Sequence, residues 1–215
     1  MSRPTSFQRP PAPKGLLVFG FGGHARSVAD IALAGGTTEF AFVDENARDG
    51  ERFFHYPVLR EWDRPLPLAW QAFSAAGDAA IRARHHEMFA TNGWAHAILI
   101  AGSATVGVGA SIGDGCMVGD HAHVGPMAKI GVGCIINTAA VVEHECAIAE
   151  FTHVSVNATV AGRTSVGRRC MIGAGAIVVD GVQIGDDIVI GAGAVVHRSI
   201  AESGVYVGNP FRKLR

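Results

Sequence analysis

"ATVGVGASIGDGCMVGDHAHVG", residues 104–125, carries a branched aliphatic residue at every sixth position: Val106, Ile112, Val118 and Val124. In steps of six the series continues through Ile130, Ile136, Val142, Ile148, Val154, Val160, Val166, Ile172, Val178, Ile184 and Ile190 to Val196, sixteen positions without a break. If one residue in four were Val or Ile, such a run would arise by chance roughly once in several billion trials, so the array is genuine. Two places before each of these positions stands a small or modest side chain, Ala104, Cys116, Ala122 and Thr152 among them, with Val182 and Ile188 as larger exceptions. Glycine often follows one place after, as at Gly107, Gly113, Gly119 and Gly125. This period is that of a parallel β-helix of triangular section. Each hexad makes one short strand and one corner, Val or Ile fills the interior, and the small residue fits the corner. Three hexads close a coil, so residues about eighteen apart stack, and the array makes a little over five coils.

The totals exclude several classes of function. A chain of 215 residues with 48% hydrophobic side chains can bury a substantial core. Its formal net charge is -1, and no Lys/Arg cluster stands out beyond the ending "FRKLR", so nucleic acid is not an expected partner. The proline-rich start "MSRPTSFQRPPAPK", residues 1–14, reads as a flexible leader and not as a secretory signal. "GLLVFGFGG" is too short to span a bilayer. The expectation is a soluble cytoplasmic protein with reduced thiols. Cys116, Cys134, Cys146 and Cys170 show no CxxC spacing and all fall in the small-corner phase, so they read as packing residues, with no thiol left to carry an acyl group. His121 and His123 lie two apart on an outward face, but no third ligand accompanies them, and no metal is expected.

The glycine phase is interrupted over one interval, where Asn137, Glu143, Ala149, Ser155 and Ala161 replace glycine in five successive hexads while the Val/Ile phase continues. Scaffold is retained there and the outer surface is rewritten. Within the interval lie Glu143, His144, Glu145, Glu150 and His153; His144 is two places past Val142 and His153 one place before Val154, phases that point outward. Glu143 and Glu150 read as solvated. The two histidines are candidates for chemistry, against the plainer reading of solvated rings.

The stretch "NTAAVVEHECAIAEFTHVSVNATVAG", residues 137–162, resembles the active-site segment of bacterial nucleotide-sugar acetyltransferases of the hexapeptide-repeat kind. The likeness extends through "GAGAIVVDGVQIG" to the ending "GVYVGNPFRKLR" and includes the N-terminal region. It implies a left-handed β-helix; spacing alone would not give the hand, because ordinary parallel crossovers are right-handed. It also implies acetyl-CoA as co-substrate, with His144 as general base and Glu145 as its orienting carboxylate. An amine attacking a thioester sheds a proton, and imidazole titrates in the range that suits this step. A neighbouring carboxylate fixes the tautomer. Neighbours on an extended strand point oppositely, so Glu145 serves only if the corner bends the chain. By the same resemblance His153 contacts acetyl-CoA near the thioester, and Ala174 and Ala192 line the coenzyme channel through their backbones; Asn137, in the hexad before His144, is a candidate to hydrogen-bond the acceptor sugar. The chemistry also requires an oxyanion donor, expected at a main-chain N–H near Ala161 or Gly162.

Ahead of the array, "GLLVFGFGGHARSVADIALAGG" reads as a strand to Phe19, a glycine turn and an amphipathic helix with Val28, Ile31 and Ala32 on one side. "FAFVDEN" is a second strand, "WQAFSAAGDAAIRARHHEMF" a third strand, turn and helix, and "AHAILI" leads into the repeats. The turn "GFGGHA" is a GxGxxA, suited to a phosphate at a helix start, and Asp44 lies where ribose hydroxyls are often read. The unit is about half a dinucleotide fold, which argues for a nucleotide-sugar and against NAD. In the resembled family this unit holds the nucleotide diphosphate, implying contacts from Gly22, Gly23, His24, Asp44, Glu45 and the turn near Gly77.

The expectation is a small N-terminal α/β, half-Rossmann-like domain with a parallel sheet over 15–100, a left-handed β-helix over 101–200 and a tail over 201–215. The implied reaction is acetyl transfer to the amine of a nucleotide-linked amino-dideoxysugar, GDP-perosamine favoured and a UDP-amino sugar next, by direct attack in a ternary complex. The implied assembly is a homotrimer with active sites between subunits. Two rivals are an O-acetyltransferase acting on a sialic acid-like sugar and a non-catalytic β-helix used for binding or trimerisation.

Overall fold

The structure, a computed structural model, describes residues 7–214; residues 1–6 of the expected leader lie outside them. The remainder of that segment runs past the first coil, where the Arg9 guanidinium donates to the carbonyls of Ala101 and Ala104.

The N-terminal unit comprises β1 (Gly15–Phe19), α1 (Gly23–Ala34), β2 (Glu39–Val43), β3 (Arg52–Phe53), β4 (Tyr56–Leu59), β5 (Trp70–Ser74) and α2 (Ala79–Thr91). The sheet order is β3-β4-β2-β1-β5, parallel except for the β3–β4 pair. Strand β1, "GLLVF", is buried along its whole length, as a central parallel strand covered on both sides must be. Helix α1 turns Val28, Ile31 and Ala32 inward, as their spacing predicts. The short β3–β4 hairpin has no counterpart in the sequence reading, because "RFFHYPVL" has neither a long period-2 run nor a glycine turn to mark it.

From Leu99 onward the hexads form three flat parallel faces. Face one stacks Leu99–Ile100, Met117–Val118, Ile135–Ile136, His153–Val154, Met171–Ile172 and Ile188–Ile190. Face two stacks Thr105–Val106, His123–Val124, Val141–Val142, Thr159–Val160, Ile177–Val178 and Val195–Val196. Face three carries every third hexad from Ser111–Ile112 to Gln183–Ile184. Stacked partners are eighteen residues apart, as in Val124↔Val142↔Val160. From Val118 to Val196 every Val/Ile of the series is buried. The last coil is closed by Gly204–Val207, which pairs with Ile188–Ile190 and then antiparallel with Arg212–Lys213.

Two features explain how closely the coils stack. A Cβ on Gly107 would lie 2.4 Å from the Pro126 nitrogen, and one on Gly125 would lie 2.6 Å from the nitrogen of His144, so glycine after the Val/Ile position admits the backbone of the next coil. Corners also require left-handed backbone three places after each Val/Ile from Val106 to Ile190. Glycine meets this at Gly109, Gly115 and Gly133, whereas His121, Met127, Ala139, Glu145, Phe151, Asn157, Arg163 and Arg169 adopt it with φ of 54–61°.

The four cysteines are buried, and burial raises the thiols of Cys116, Cys146 and Cys170, the last to about 11. Each donates to a carbonyl fifteen residues on, for instance Cys146 Sγ to Ala161 O at 3.1 Å. Thr152 and Thr164 make the same corner bond with their hydroxyls.

Candidate active site

His144 lies on the edge between faces two and three. Glu145 follows it in the left-handed conformation, φ 58°, which swings its side chain to the same side as the imidazole. Glu145 Oε2 stands 3.1 Å from His144 Nδ1. That contact leaves Nε2 as the other ring nitrogen. The pair is accessible, the side chains being 41% and 59% exposed. Gly162 occupies the same edge one coil further on. A Cβ there would sit 2.5 Å from His144 Nε2, so only glycine leaves the imidazole its place. The Ala161 N–H donates to Val178 O at 2.9 Å as part of the ladder, whereas the Gly162 N–H makes no such ladder bond among the described residues.

The other histidine of the rewritten interval sits elsewhere. His153 projects outward from face one, yet the N-terminal unit covers it. Its Nε2 lies 3.1 Å from Asn137 Nδ2, and its ring centroid is 6.3 Å from that of His24. It is therefore neither a core ring nor a solvated one. Burial, with Arg82 as a lesser cause, holds His153 down to about 3 and His24 to about 4, so both rings are neutral at physiological pH. His24 Nε2 and His153 Nδ1 are buried without a hydrogen-bond partner among the described residues. A buried polar nitrogen in that state is a demand that a bound ligand can meet.

Arg82, which the sequence reading passed over, joins the two units. Its side chain is 2% exposed and, among the described residues, has no carboxylate partner. Instead the guanidinium donates to the carbonyls of Gly133 and Phe151 on the β-helix and of Ala76 and Gly77 on the turn before α2. One buried fork thus fixes the Gly77 turn against the coils. Nothing in "AAIRARHH" separates Arg82 from a solvated helix residue, since its acceptors are backbone atoms remote in sequence.

At the carboxyl ends of β1, β2 and β5 a cavity of about 420 Å³ is lined by Phe19, Asp44, Glu45, Arg60, Arg84 and His85 among others. Such a crevice, where neighbouring strands leave β1 on opposite sides, is the usual ligand position of open α/β sheets. Helix α1 begins beside it with Gly22 as N-cap, no side-chain cap and no acid in its first turn, so its leading N–H groups stay available. Gly20 needs its freedom, with φ 98°; at Gly22 and Gly23 the space around the backbone is open. Asp44 accepts from the N–H of Phe21 at 2.8 Å and of Asn46 at 3.0 Å, tying β2 to the glycine turn. Arg60 and Arg84 are basic groups in this cavity that motif reading did not single out. A larger depression of about 710 Å³ around Trp62, Trp70 and Trp94 lies by the start of β5, away from these groups.

Ala174 and Ala192 are exposed on the edge between faces one and two, a face's width from His144. His144 and Glu145 are likewise on the edge opposite face one, which carries His153 and Asn137. The His144–Glu145 pair and the His153–Asn137 pair therefore stand on opposite sides of the prism. Among the described residues no group of three or more His, Cys, Asp or Glu is arranged to hold a metal, and no helix is long and apolar enough to cross a membrane.

Residues 15–89 match the family described as the PglD N-terminal domain, and residues 163–198 match the hexapeptide repeat of succinyl-transferase. A search of curated protein sequences gives no match. Among solved structures, the acetyltransferase domain of PglB from Neisseria gonorrhoeae, also solved with acetyl coenzyme A, superposes with a TM-score of 0.87 at 32% identity, covering 94% of this chain and 100% of that one. A histidine-to-alanine variant of GDP-perosamine N-acetyltransferase from Caulobacter crescentus, in complex with CoA and GDP-perosamine, superposes with a TM-score of 0.87 at 32% identity, covering 94% and 97%. WeeI from Acinetobacter baumannii shares the fold at 20% identity with a TM-score of 0.69, covering 93% and 99%. With the half-Rossmann unit, the hexad prism and its outward His-Glu pair now joined to these likenesses, the chain belongs to the bacterial nucleotide-sugar N-acetyltransferases of the hexapeptide-repeat family, acetyl-CoA-dependent enzymes built on a left-handed β-helix.

Proposed function

We propose that this enzyme acetylates the amine of a nucleotide-linked amino-dideoxysugar, GDP-perosamine in the first place and a UDP-amino sugar next, with His144 as general base. The observation that carries the base assignment is the His144 Nδ1 contact to Glu145, which leaves Nε2 to take the proton. The amine attacks the thioester carbonyl carbon, the C–N bond forms, and the C–S bond breaks. The N–H proton passes to His144 Nε2 and on to the departing thiolate. Glu145 stabilises the intervening imidazolium. The Gly162 N–H supports the oxyanion. No cysteine is exposed to receive the acetyl group, which favours direct transfer in a ternary complex.

The nucleotide diphosphate is assigned to Gly22, Gly23 and the α1 start, with Asp44, Glu45 and the Gly77 turn around the nucleoside. The neutral His24, His153 and Asn137 form a polar corner at the junction of the two units. Acetyl-CoA is assigned a course past His153, Ala161, Gly162, Ala174 and Ala192. No single chain brings these groups to one place, so the reading includes a homotrimer in which the His144 edge of one subunit faces the N-terminal unit of the next. Face two turns Val141, Ile177 and Val195 outward beside Thr105, His123 and Thr159, a partly apolar surface that such an assembly would cover. The GDP-sugar preference rests on the Caulobacter relative, solved with GDP-perosamine. A panel of GDP-, UDP- and dTDP-amino sugars assayed with acetyl-CoA tests it: turnover confined to UDP-sugars overturns the preference, and turnover of hydroxy-sugars alone overturns N-acetylation.

A further inference from the structure

Asp180 stands on the same edge as His144 and Gly162, two places past Val178, one coil beyond the glycine. Arg163 holds it, with a guanidinium nitrogen 2.6 Å from Oδ1. Arg163 is itself anchored by its own N–H, which donates to His144 O at 2.9 Å. The other carboxylate oxygen, Oδ2, turns into the gap above Gly162. A methyl group placed there would lie 2.5 Å from His144 Nε2 and 3.0 Å from Asp180 Oδ2, so both atoms border the same gap that the glycine leaves. The side chain is 44% exposed and open to a ligand.

We infer that Asp180 selects an amine over a hydroxyl as the attacking group, an inference that rests on His144 being the base. A neutral primary amine has two N–H bonds and one lone pair. With one hydrogen on His144 Nε2 and the second on Asp180 Oδ2, the lone pair is turned outward from the edge toward the thioester. The balance of the transfer is unchanged: the first proton leaves through His144 to the CoA thiolate, and the second stays on the amide product. Asp180 accepts a hydrogen bond and takes no proton. A hydroxyl nucleophile has a single hydrogen, which His144 claims. Asp180 Oδ2 then faces oxygen lone pairs with no hydrogen between them, and the developing alkoxide is repelled.

The test compares wild type with Asp180→Asn and Asp180→Ala, using paired nucleotide sugars that differ only in bearing an amine or a hydroxyl at the reacting carbon. Arg168→Gln, which breaks a similar exposed coil-to-coil pair with Asp186 at 2.9 Å, is the control. The expected result for both Asp180 variants is a fall in kcat/KM for the amine of about tenfold to a hundredfold. The amine-to-hydroxyl ratio shrinks at least as much, and the control is unchanged. An unchanged ratio overturns the inference. So does a shift confined to the acid limb of the pH–rate profile, since the carboxylate would then serve only the imidazolium. His144→Ala in parallel separates the two failures. If it keeps its rate, the base assignment falls and the amine bridge with it. If it is inactive while Asp180→Asn keeps its ratio, only the role of Asp180 falls.

Discussion

At Gly162 the absence of a side chain leaves room for the imidazole of His144, the proposed general base. Gly162→Ala forces the His144 ring from its position while leaving the interior of the prism intact. Its expected effect is a loss in kcat of about a hundredfold with circular dichroism and melting behaviour preserved, as a misplacement of about an ångström can cost. His144→Ala is expected to lose at least about a hundredfold, and the measurement must be made on protein shown to be folded. His24 and His153 make a different prediction, about pH. Each is held well below its ordinary 6.5 in the fold, at about 4 and about 3, chiefly by burial. In the unfolded chain both rings protonate near 6.5, so on acidification the unfolded state binds more protons and gains on the folded one. Melting temperature is expected to fall as pH drops from about 6.5 toward 4, and a His24→Gln, His153→Gln double variant is expected to flatten that slope. A slope unaltered in the double variant assigns the acid sensitivity elsewhere.

The hexad strands were legible because each is specified by its own six residues. The branched residue, the corner residue and the glycine that admits the next coil all repeat in register, so strand, face and interior follow from one period. The outward phase of His144 was legible by the same rule, and so was the need for a bend before Glu145. Its left-handed φ is how that need is met. What the period does not contain is contact between remote segments. It placed His153 on an outer face but not beneath the N-terminal unit, and it gave no reason to notice Arg82. The covering of His153 and the four carbonyls on Arg82 come from packing α1 and α2 against the coils. Arg82→Lys is expected to destabilise the protein by about 2–3 kcal/mol in chemical denaturation, because a single ammonium cannot reach four separated carbonyls and leaves buried acceptors unmet. Gly125→Ala tests the stacking rule, since its Cβ would meet backbone rather than a movable side chain. A cost of at least about 1–3 kcal/mol is expected, against little change for Gly175→Ser, whose surroundings are open, beyond the strain of its positive φ.

In the proposed homotrimer each active site is shared by two subunits, which makes assembly part of the chemistry. Chains carrying His144→Ala and chains carrying His24→Ala are each expected to be nearly inactive. Refolded together in equal amounts, they are expected to recover about a quarter of wild-type activity, because about a quarter of the interfaces in a closed ring then pair an intact edge with an intact N-terminal unit. No recovery in verified mixed trimers argues that each subunit works alone. The eighteen-residue stacking interval has one more consequence, for how such a molecule changes length over generations. A duplication of eighteen residues above Asp180 adds one layer of about 4.8 Å and keeps every later column above its predecessor. A duplication of six rotates all that follows by a third of a turn, carrying Ala192 and the closing strand onto the wrong side. Viable length variants of this protein are thus expected to come in whole layers, so that the prism grows as a ruler does, by fixed graduations.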